Sequence, residues 1–270
     1  MLQTPPPISN MHIAHLICGR PAQTLVDVHG DYGHVVSVWL KESYKNVNDF
    51  FILDSFNAFE SKLPAEDQLD QYKAIVLSGS AASAYEDVDW INNLVAFVAR
   101  VAQTRPSIKL IGICFGHQII ARALGGQVVR NHGRWEIGPT PISLTDLGKA
   151  IFGVDSFHIQ QMHQDHVPSV PESFYLLGST PVSVNQGMVR FRDGKAAPSP
   201  DDVNADDIHI LALQGHPEFT EPLVTDLVKQ RSAKGIIDKQ IKDDYMQKRR
   251  FWQNDGVGII GRAIWNVIGI

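Results

Sequence analysis

The stretch that organises this chain is GICFGHQ, residues 112–118, which follows the apolar run 109–111 and leads into the mostly apolar positions 119–124. A buried strand, two glycines that flank a cysteine and an immediate amphipathic helix predict a sharp strand-to-helix turn, because no Cβ fits beside so tight a bend. The side chain that such a turn presents is the thiol of Cys114. Free backbone N–H groups and the helix dipole favour a thiolate at this place, so Cys114 is the candidate nucleophile.

Composition excludes several classes of protein. The 270 residues carry a formal net charge of -5, with 44% hydrophobic and 20% charged residues, so there is no basic surface for nucleic acid. The only two cysteines, Cys18 and Cys114, lack the spacing of a zinc site or a disulfide framework, and Cys18 ends an apolar run as a core thiol would. No apolar run approaches the roughly 20 residues that a bilayer requires. We expect a protein without a cofactor, in the cytoplasm, with a nuclear pool left open.

Apolar segments with two different periods alternate along the first part of the chain. Short apolar runs predict strands, and apolar residues at steps of three and four predict helices. This order predicts an α/β fold, a three-layer sandwich with a central, mostly parallel sheet flanked by helices. The predicted strands are residues 12–18, 50–53, 74–77, 109–113 and 208–213; the predicted helices include residues 32–40 and 88–101 and a helix that Thr220 caps, with Pro222 in its first turn.

The middle of the chain and its ends are less regular. Alternating segments at 127–130, 137–144 and 182–191 are broken by prolines, which indicates strands and hairpins added to one edge of the sheet. Residues 193–207 predict an exposed loop, and residues 249–270 predict a final helix that packs back on the sheet. We therefore expect three parts, a flexible leader over residues 1–11, one domain over 12–235, and a helical extension of that domain over 236–270.

A cysteine with an ordinary pKa is only a few per cent thiolate at neutral pH, so a catalytic one needs a base. Among the 11 histidines, His216 follows a predicted strand and precedes Pro217 and Glu218. Side chains at i and i+2 leave the same face of an extended backbone, so Glu218 can hold one imidazole nitrogen while the other points at a thiol. Cys114, His216 and Glu218 thus form a candidate triad of nucleophile, proton shuttle and orienting carboxylate.

These two motifs, residues 112–118 and Gln214-Gly215-His216-Pro217-Glu218, together resemble the class I glutamine amidotransferase family, whose glutaminase domains have a flavodoxin-like fold. The resemblance covers about residues 12–228. It implies that ammonia leaves glutamine as a thioester forms on Cys114, and that water then hydrolyses the thioester. The implied oxyanion donors are the N–H of Phe115 and that of Gly79, although Ser80 stands where the family commonly has a second glycine, which leaves the second donor open.

The resemblance extends to substrate binding. Gln118 resembles the family's glutamine-binding Gln, and residues 162–165, with Asp165, resemble the segment that contacts the substrate backbone. The basic residues Arg130, His132 and Arg134 could form a lip that attracts a carboxylate, although solvated loop charge also fits. The histidines at 158, 163 and 166 match no metal-ligand spacing, so we expect no metal.

Within the family the chain resembles most the stand-alone relatives of the GMP synthase glutaminase, including plant γ-glutamyl peptidases, and residues 135–138, WEIG, add to this resemblance. It has no Walker-type loop of its own. The resemblance implies hydrolysis of a γ-glutamyl amide, with an ammonia-consuming synthase as one candidate partner. Two alternatives stay open. One is an α/β-hydrolase in which Cys114, Asp165 and His216 act in that order, and the other is a binding or regulatory subunit that has lost turnover.

Overall fold

A nine-stranded sheet runs through the molecule, of which the computed structural model describes residues 11–44, 51–250 and 254–269. Two further short strands pair with each other outside it. The strands are β1 (Met11–Ile17), β2 (Phe51–Asn57), β3 (Tyr72–Leu77), β4 (Lys109–Ile113), β5 (Val129–Arg130), β6 (Glu136–Leu144), β7 (Ser156–His163), β8 (Asp165–His166), β9 (Tyr175–Ser179), β10 (Gly187–Phe191) and β11 (Ile208–Leu213).

The sheet has a parallel half and an antiparallel half. Its order is β2-β1-β3-β4-β11-β10-β9-β6-β7. The five strands from β2 to β11 pair in parallel, and every pair from β11 to β7 is antiparallel. Parallel neighbours need a long crossover, whereas antiparallel ones can follow each other through short turns. The predictions of a mostly parallel α/β sheet and of strands added at one edge are confirmed, except that the segment at 127–130 contributes only β5, which pairs with β8 outside this sheet.

Helices cover both faces of the parallel half, as strands that are apolar on both faces require. On one side, α3 and α4 pack on strand residues such as Leu77 and Leu110. On the other, α2 and α8 pack on residues such as Val76 and Ile111, and α6 and α7 form a third cluster over Ile137 and Met162. The helices are α1 (Gln23–His29), α2 (Tyr32–Ser43), α3 (Asp89–Thr104), α4 (Phe115–Ala123), α5 (Asp146–Phe152), α6 (Glu221–Ala233), α7 (Lys239–Lys248) and α8 (Arg262–Ile268).

Several boundaries differ from the sequence prediction. β2 does not end at Asp54: it continues to Asn57, because it pairs with β1 along its whole length and the Asp54 carboxylate bonds the ring of His12 at 3.0 Å. The predicted start at residue 50 lies outside the described residues, as do residues 1–10 of the predicted leader, whereas Met11 already belongs to β1. Thr220 does stand at the N-cap of α6, but its side chain makes no capping hydrogen bond.

The C-terminal segment packs on the rest of the molecule through α7, a π-helical turn over Gly256–Gly261 and α8. Tyr245 in α7 is buried, and its hydroxyl bonds that of Thr225 at 2.8 Å. In α8 the indole of Trp265 donates to the carbonyl oxygen of Leu40 at 3.0 Å. The boundary at residue 235 remains a proposal. Within the described part of the chain, no helix combines the length and apolar character that crossing a membrane would require.

Candidate active site

The turn that presents the candidate nucleophile, Cys114, joins β4 to α4. Cys114 stands between them with φ 51° and ψ -100°, a positive φ that a residue with a Cβ rarely adopts and that costs about 1–3 kcal/mol. Packing holds it there, because a Cβ on Gly116 would meet the carbonyl oxygen of Leu77. Only glycine therefore lets α4 lie this close to β3. The thiol of Cys114 consequently stands at the N-terminus of α4.

Two neighbouring strands set the distance between the thiol and the imidazole. β4 and β11 pair in parallel with Ile113 opposite Leu213, and the amide of Cys114 donates to the carbonyl oxygen of Leu213 at 2.8 Å. His216 follows β11, and its amide donates to the carbonyl oxygen of Gln160 in β7 at 2.7 Å. The backbone of each group is thus fixed by hydrogen bonds to the sheet.

Glu218 orients the imidazole of His216. Its Oε1 lies 2.7 Å from Nδ1, and the ring stacks on Phe219 with centroids 3.9 Å apart. Burial lowers the pKa of His216, but the charges of Glu218 and Cys114, and hydrogen bonds to both, raise it above its ordinary value. The structure thus brings the three predicted triad residues together, and a proton on the imidazole favours a thiolate beside it.

The second cysteine has none of these features. Cys18 is fully buried after β1, and its thiol donates to the carbonyl oxygen of Leu16 at 3.4 Å. Burial raises the pKa of Cys18 to about 12, although hydrogen bonds with Ser78 oppose the rise. The prediction that Cys18 is a core thiol is confirmed.

The two predicted oxyanion donors lie next to the triad. Phe115 is the first residue of α4, and Gly79 packs so closely on His216 that an added Cβ would stand 2.5 Å from Cε1. Neither backbone amide has an acceptor among the described residues. The Ser78 hydroxyl donates to the Gly79 carbonyl oxygen at 3.2 Å and so orients the peptide that ends in the N–H of Ser80. Ser80 also lines the cleft described next, so it competes with Gly79 as the second donor.

A cleft of about 290 Å³ opens beside the thiol, and Gln118 and Asp165 both line it. Gln118 is buried rather than exposed, and its amide nitrogen donates to the carbonyl oxygen of Asp165 at 3.0 Å and to the side-chain oxygen of Gln214 at 3.2 Å. The carboxylate of Asp165 accepts from the Ser83 hydroxyl at 2.5 Å. The two predicted substrate-binding residues therefore lie side by side.

Of the three basic residues predicted at the lip, Arg130 is the one that lines the cleft as the structure describes it. Its Nε donates to the side-chain oxygen of Gln164 at 2.7 Å. Arg134 instead donates to the side-chain oxygen of Asn131 at 2.9 Å. The lip therefore presents one arginine to the cleft rather than a basic cluster.

His163 forms a second histidine–carboxylate pair that the sequence analysis missed. Its Nε2 lies 3.1 Å from Oε2 of Glu136, and its Nδ1 lies 3.0 Å from the carbonyl oxygen of Asp165. Glu136 is buried and also accepts from the hydroxyl of Thr180 at 2.6 Å and from the amide of Gln186 at 2.7 Å. Burial raises the pKa of Glu136, but its hydrogen bonds and the charge of His163 lower it on balance. This pair supports the segment that carries Asp165.

Arg231 also lines the cleft and was not singled out from the sequence. It lies on α6, one turn beyond the buried Leu227, and its guanidinium stands 5.7 Å from the centre of the Trp135 ring. An arginine in register with the buried apolar face of a helix is the sequence signal that could have found it.

The position of the carboxylate that bonds His216 distinguishes two of the hypotheses made from the sequence. In an α/β-hydrolase with the order Cys114, Asp165, His216, the carboxylate would come from another loop. Here Glu218 bonds the imidazole, while Asp165 bonds Ser83. The arrangement is therefore that of the i, i+2 triad and not of the alternative order.

Comparison with known proteins identifies the family of this chain. Residues 31–227 match the family model described as glutamine amidotransferase class-I. A Schizosaccharomyces pombe protein named as glutamine amidotransferase-like is 32% identical over 254 residues, which cover 88% of this chain and 91% of that protein. γ-Glutamyl peptidase 4 of Arabidopsis thaliana is 28% identical over 80% of this chain and 88% of its own length.

The fold has close counterparts among solved structures. A glutamine amidotransferase from Thermotoga maritima superposes with a TM-score of 0.65 at 18% identity, covering 97% of this chain and 99% of that one. At that identity the likeness concerns the fold alone, whereas the family model covers well over half of the sequence. The chain therefore belongs to the class I glutamine amidotransferase family.

Proposed function

We propose that this chain hydrolyses γ-glutamyl amides through a thioester on Cys114. The observation that carries the proposal is the buried contact between Glu218 and His216, with 2.7 Å between Oε1 and Nδ1, beside a thiol at a helix N-terminus. A nucleophile, a base and an orienting group within hydrogen-bond reach of each other are the requirement for covalent acyl transfer.

In the first half-reaction the Cys114 sulfur attacks the γ-carbonyl carbon and forms the C–S bond. His216 holds the thiol proton and gives it to the leaving amine as the C–N bond breaks, which leaves a γ-glutamyl thioester. In the second half-reaction His216 takes a proton from water, the resulting hydroxide adds to the thioester, and the C–S bond breaks to give glutamate and the thiol. Glu218 keeps the imidazole in one orientation through both steps.

The oxyanion that forms in each step needs two donors. We assign these to the N–H groups of Phe115 and Gly79, with Ser80 as the alternative to Gly79, because the amides of Phe115 and Gly79 have no acceptor in the described part of the chain. We assign the amino and carboxylate ends of the glutamyl group to the side of the cleft that Gln118 and Asp165 line.

The names of the relatives support this substrate class. They include glutamine amidotransferase-like proteins and several γ-glutamyl peptidases. Hydrolysis of glutamine and of γ-glutamyl peptides forms the same γ-glutamyl thioester, and the two reactions differ only in the amine that leaves. The proposal includes a cytoplasmic location, which the two unpaired cysteines favour, and a synthase that consumes ammonia as a candidate partner.

Cysteine replacement tests the proposal. Glutamine, γ-glutamylcysteine and glutathione are offered to the purified chain, to Cys114→Ala and to Cys18→Ala, and glutamate release is measured. Cys114→Ala should lose activity on all three, by a factor of roughly 10³ or more, whereas Cys18→Ala, which removes the other thiol of the chain, should keep it. Undiminished hydrolysis by Cys114→Ala would contradict the mechanism.

A labelling experiment distinguishes the proposed hydrolase from the binding-subunit alternative. If the chain is a hydrolase, a glutamine-like chloroketone should alkylate Cys114 in the wild-type chain, and mass spectrometry should find Cys18 unmodified. If Cys114 stays unlabelled and no γ-glutamyl substrate is hydrolysed, while a partner protein is retained in a pull-down, the chain is a subunit without turnover.

A further inference from the structure

A second cleft adjoins the one at the thiol. It also has a volume of about 290 Å³, and the two share the lining residues Ala81, Arg231 and Ile236. Tyr32 and Lys234 line the second cleft but not the first. A molecule bound at Cys114 can therefore extend past Arg231 into a further cleft, which ammonia as the leaving group would leave empty.

The guanidinium of Arg231 lies at the junction without an anionic partner. It stands over the Trp135 ring, and among the described residues no carboxylate forms an ion pair with it. Burial lowers the pKa of Arg231, while nearby Tyr32 and Cys114 oppose that shift. A partly buried charge without a counter-ion is costly, so a bound anion would complete this site.

The charges along the two clefts are strongly one-sided. Their lining includes the cations Arg130, Arg231 and Lys234, together with Arg20, which pairs with Glu60 at 3.0 Å, and Asp165 is the one carboxylate among the lining residues that the structure describes. That carboxylate already accepts from a hydroxyl at the other side of the first cleft. The whole chain carries a net charge of -5, so the positive potential is concentrated where the substrate would enter. Such focusing favours an anionic ligand.

We propose that Arg231 binds a carboxylate on the leaving amine, so that the preferred substrates are γ-glutamyl peptides whose leaving group is an amino acid or a peptide. This inference rests on the proposed hydrolysis at Cys114. The glutamyl end is assigned to the side of Gln118 and Asp165, and Arg231 is the cation that continues into the second cleft. Arginine suits this role because its planar fork can hold a carboxylate with two hydrogen bonds while it stacks on an aromatic ring.

A matched pair of substrates isolates that carboxylate. γ-Glutamylglycine and γ-glutamylglycinamide differ only in whether the leaving amine carries a carboxylate or a neutral amide, and glutamine releases ammonia. We expect the wild-type chain to show a kcat/KM for γ-glutamylglycine about 10-fold or more above that for the glycinamide, since a hydrogen-bonded charge contributes on this scale. Arg231→Gln should abolish this preference, because it should lower the kcat/KM for γ-glutamylglycine more than that for the glycinamide or for glutamine.

Lys229→Gln supplies the control, because it removes the same charge from the same helix at an exposed residue that bonds Asp226 and does not line either cleft as described. It should keep the preference. Arg231→Lys, which keeps the charge, should keep part of it even if Arg231→Gln folds poorly.

Three results would overturn the inference. A wild-type chain that hydrolyses glutamine and both dipeptides with equal kcat/KM has no such subsite, although the proposed function stands. Equal losses on all three substrates in Arg231→Gln would assign the arginine to the carboxylate of the glutamyl group itself. A wild-type chain that hydrolyses none of them would remove the proposed function together with the inference.

Discussion

Two buried histidine–carboxylate pairs lie beside the same cleft, and they differ in what the second imidazole nitrogen meets. At the end of β11, His216 bonds Glu218 at 2.7 Å. Between the paired strands β6 and β7, His163 lies 3.1 Å from Glu136. All four side chains are at least nine-tenths buried. A histidine held by a carboxylate is therefore not by itself the sign of a catalytic base.

The two pairs differ in the third group that each histidine faces. His216 lies close enough to Cys114, which stands in a strained turn, for the charge of Cys114 to raise the pKa of the imidazole. The ring of His163 meets the carbonyl oxygen of Asp165, a group that cannot act as a nucleophile. In the proposed mechanism the first pair moves a proton to and from the reacting atom, whereas the second holds a cleft segment in place. This difference can be tested by making the same substitutions in both pairs.

Replacement of the two histidines should give the largest contrast. His216→Gln removes the base and should lower kcat/KM for a γ-glutamyl substrate at least about 10³-fold. His163→Gln loosens the segment that carries Asp165 and should lower it about 10-fold. Steady-state kinetics on both variants, with circular dichroism to verify folding, measure the difference. Equal losses would mean that both pairs take part in the chemistry.

Replacement of the two carboxylates should separate rate from stability. Glu218→Gln no longer fixes the imidazole and should lower kcat about 10²-fold or more with a small change in KM. Glu136→Gln leaves the donors of Thr180 and Gln186 poorly matched and should instead cost about 1–3 kcal/mol of unfolding free energy. Urea unfolding and initial rates on the same preparations give both quantities. A rate loss in Glu136→Gln that matches that of Glu218→Gln would remove the distinction.

Substitution of Gly79, which packs against His216, should have a smaller effect on the rate. In Gly79→Ala the new Cβ would stand 2.5 Å from Cε1 of the ring, so the ring, which stacks on Phe219, would have to shift from its place beside the thiol. We expect kcat to fall about 10-fold with little loss of stability. Gly116→Ala, which meets the backbone of Leu77 instead, should mainly lower the melting temperature. The reverse pattern would show that Gly79 serves packing alone.

The smallest effect is the pH dependence of stability, which should run in opposite directions for the two pairs. The pKa of His216 is raised from 6.5, so its contribution is complete below that pH and is lost as the pH rises through the raised value. The pKa of Glu136 is lowered from 4.5, so its contribution is present above that pH and is lost as the pH falls through the lowered value.

Unfolding free energies of the wild type, Glu218→Gln and Glu136→Gln across this range check the prediction. The gap between wild type and Glu218→Gln should narrow toward alkaline pH, and the gap for Glu136→Gln should narrow toward acid pH. Gaps that change in the same direction would contradict the assignment of the two pKa shifts.

The features that the sequence predicted are those with local causes. The turn at Cys114 follows from its flanking glycines, and the contact between His216 and Glu218 follows from i, i+2 spacing on an extended segment. By contrast, Glu136 and His163 are direct neighbours across two antiparallel strands. The sequence of neither strand alone determines this register. The same holds for Arg231, whose role depends on Trp135, far away in the chain.

The bounds of some elements were not predicted where packing rather than pattern determines them. α7 lies within the predicted helical extension, but it is strongly polar and Tyr245 is its one fully buried side chain among those described, so its apolar face is too narrow to indicate where the helix begins and ends. β7 and β9 lie outside the segments predicted as edge strands, and both pair within the antiparallel half of the sheet.

The direct pairing of β4 with β11 bears on how this molecule would fail when heated. No hinge separates Cys114 from His216, the proposed nucleophile and base, since both follow adjacent central strands and are anchored to the same sheet by backbone hydrogen bonds. Central strands open only with the global unfolding of a domain, whereas peripheral segments open earlier. Heat inactivation should therefore coincide with the loss of the whole fold, and a thermostable variant could be selected by its residual turnover alone.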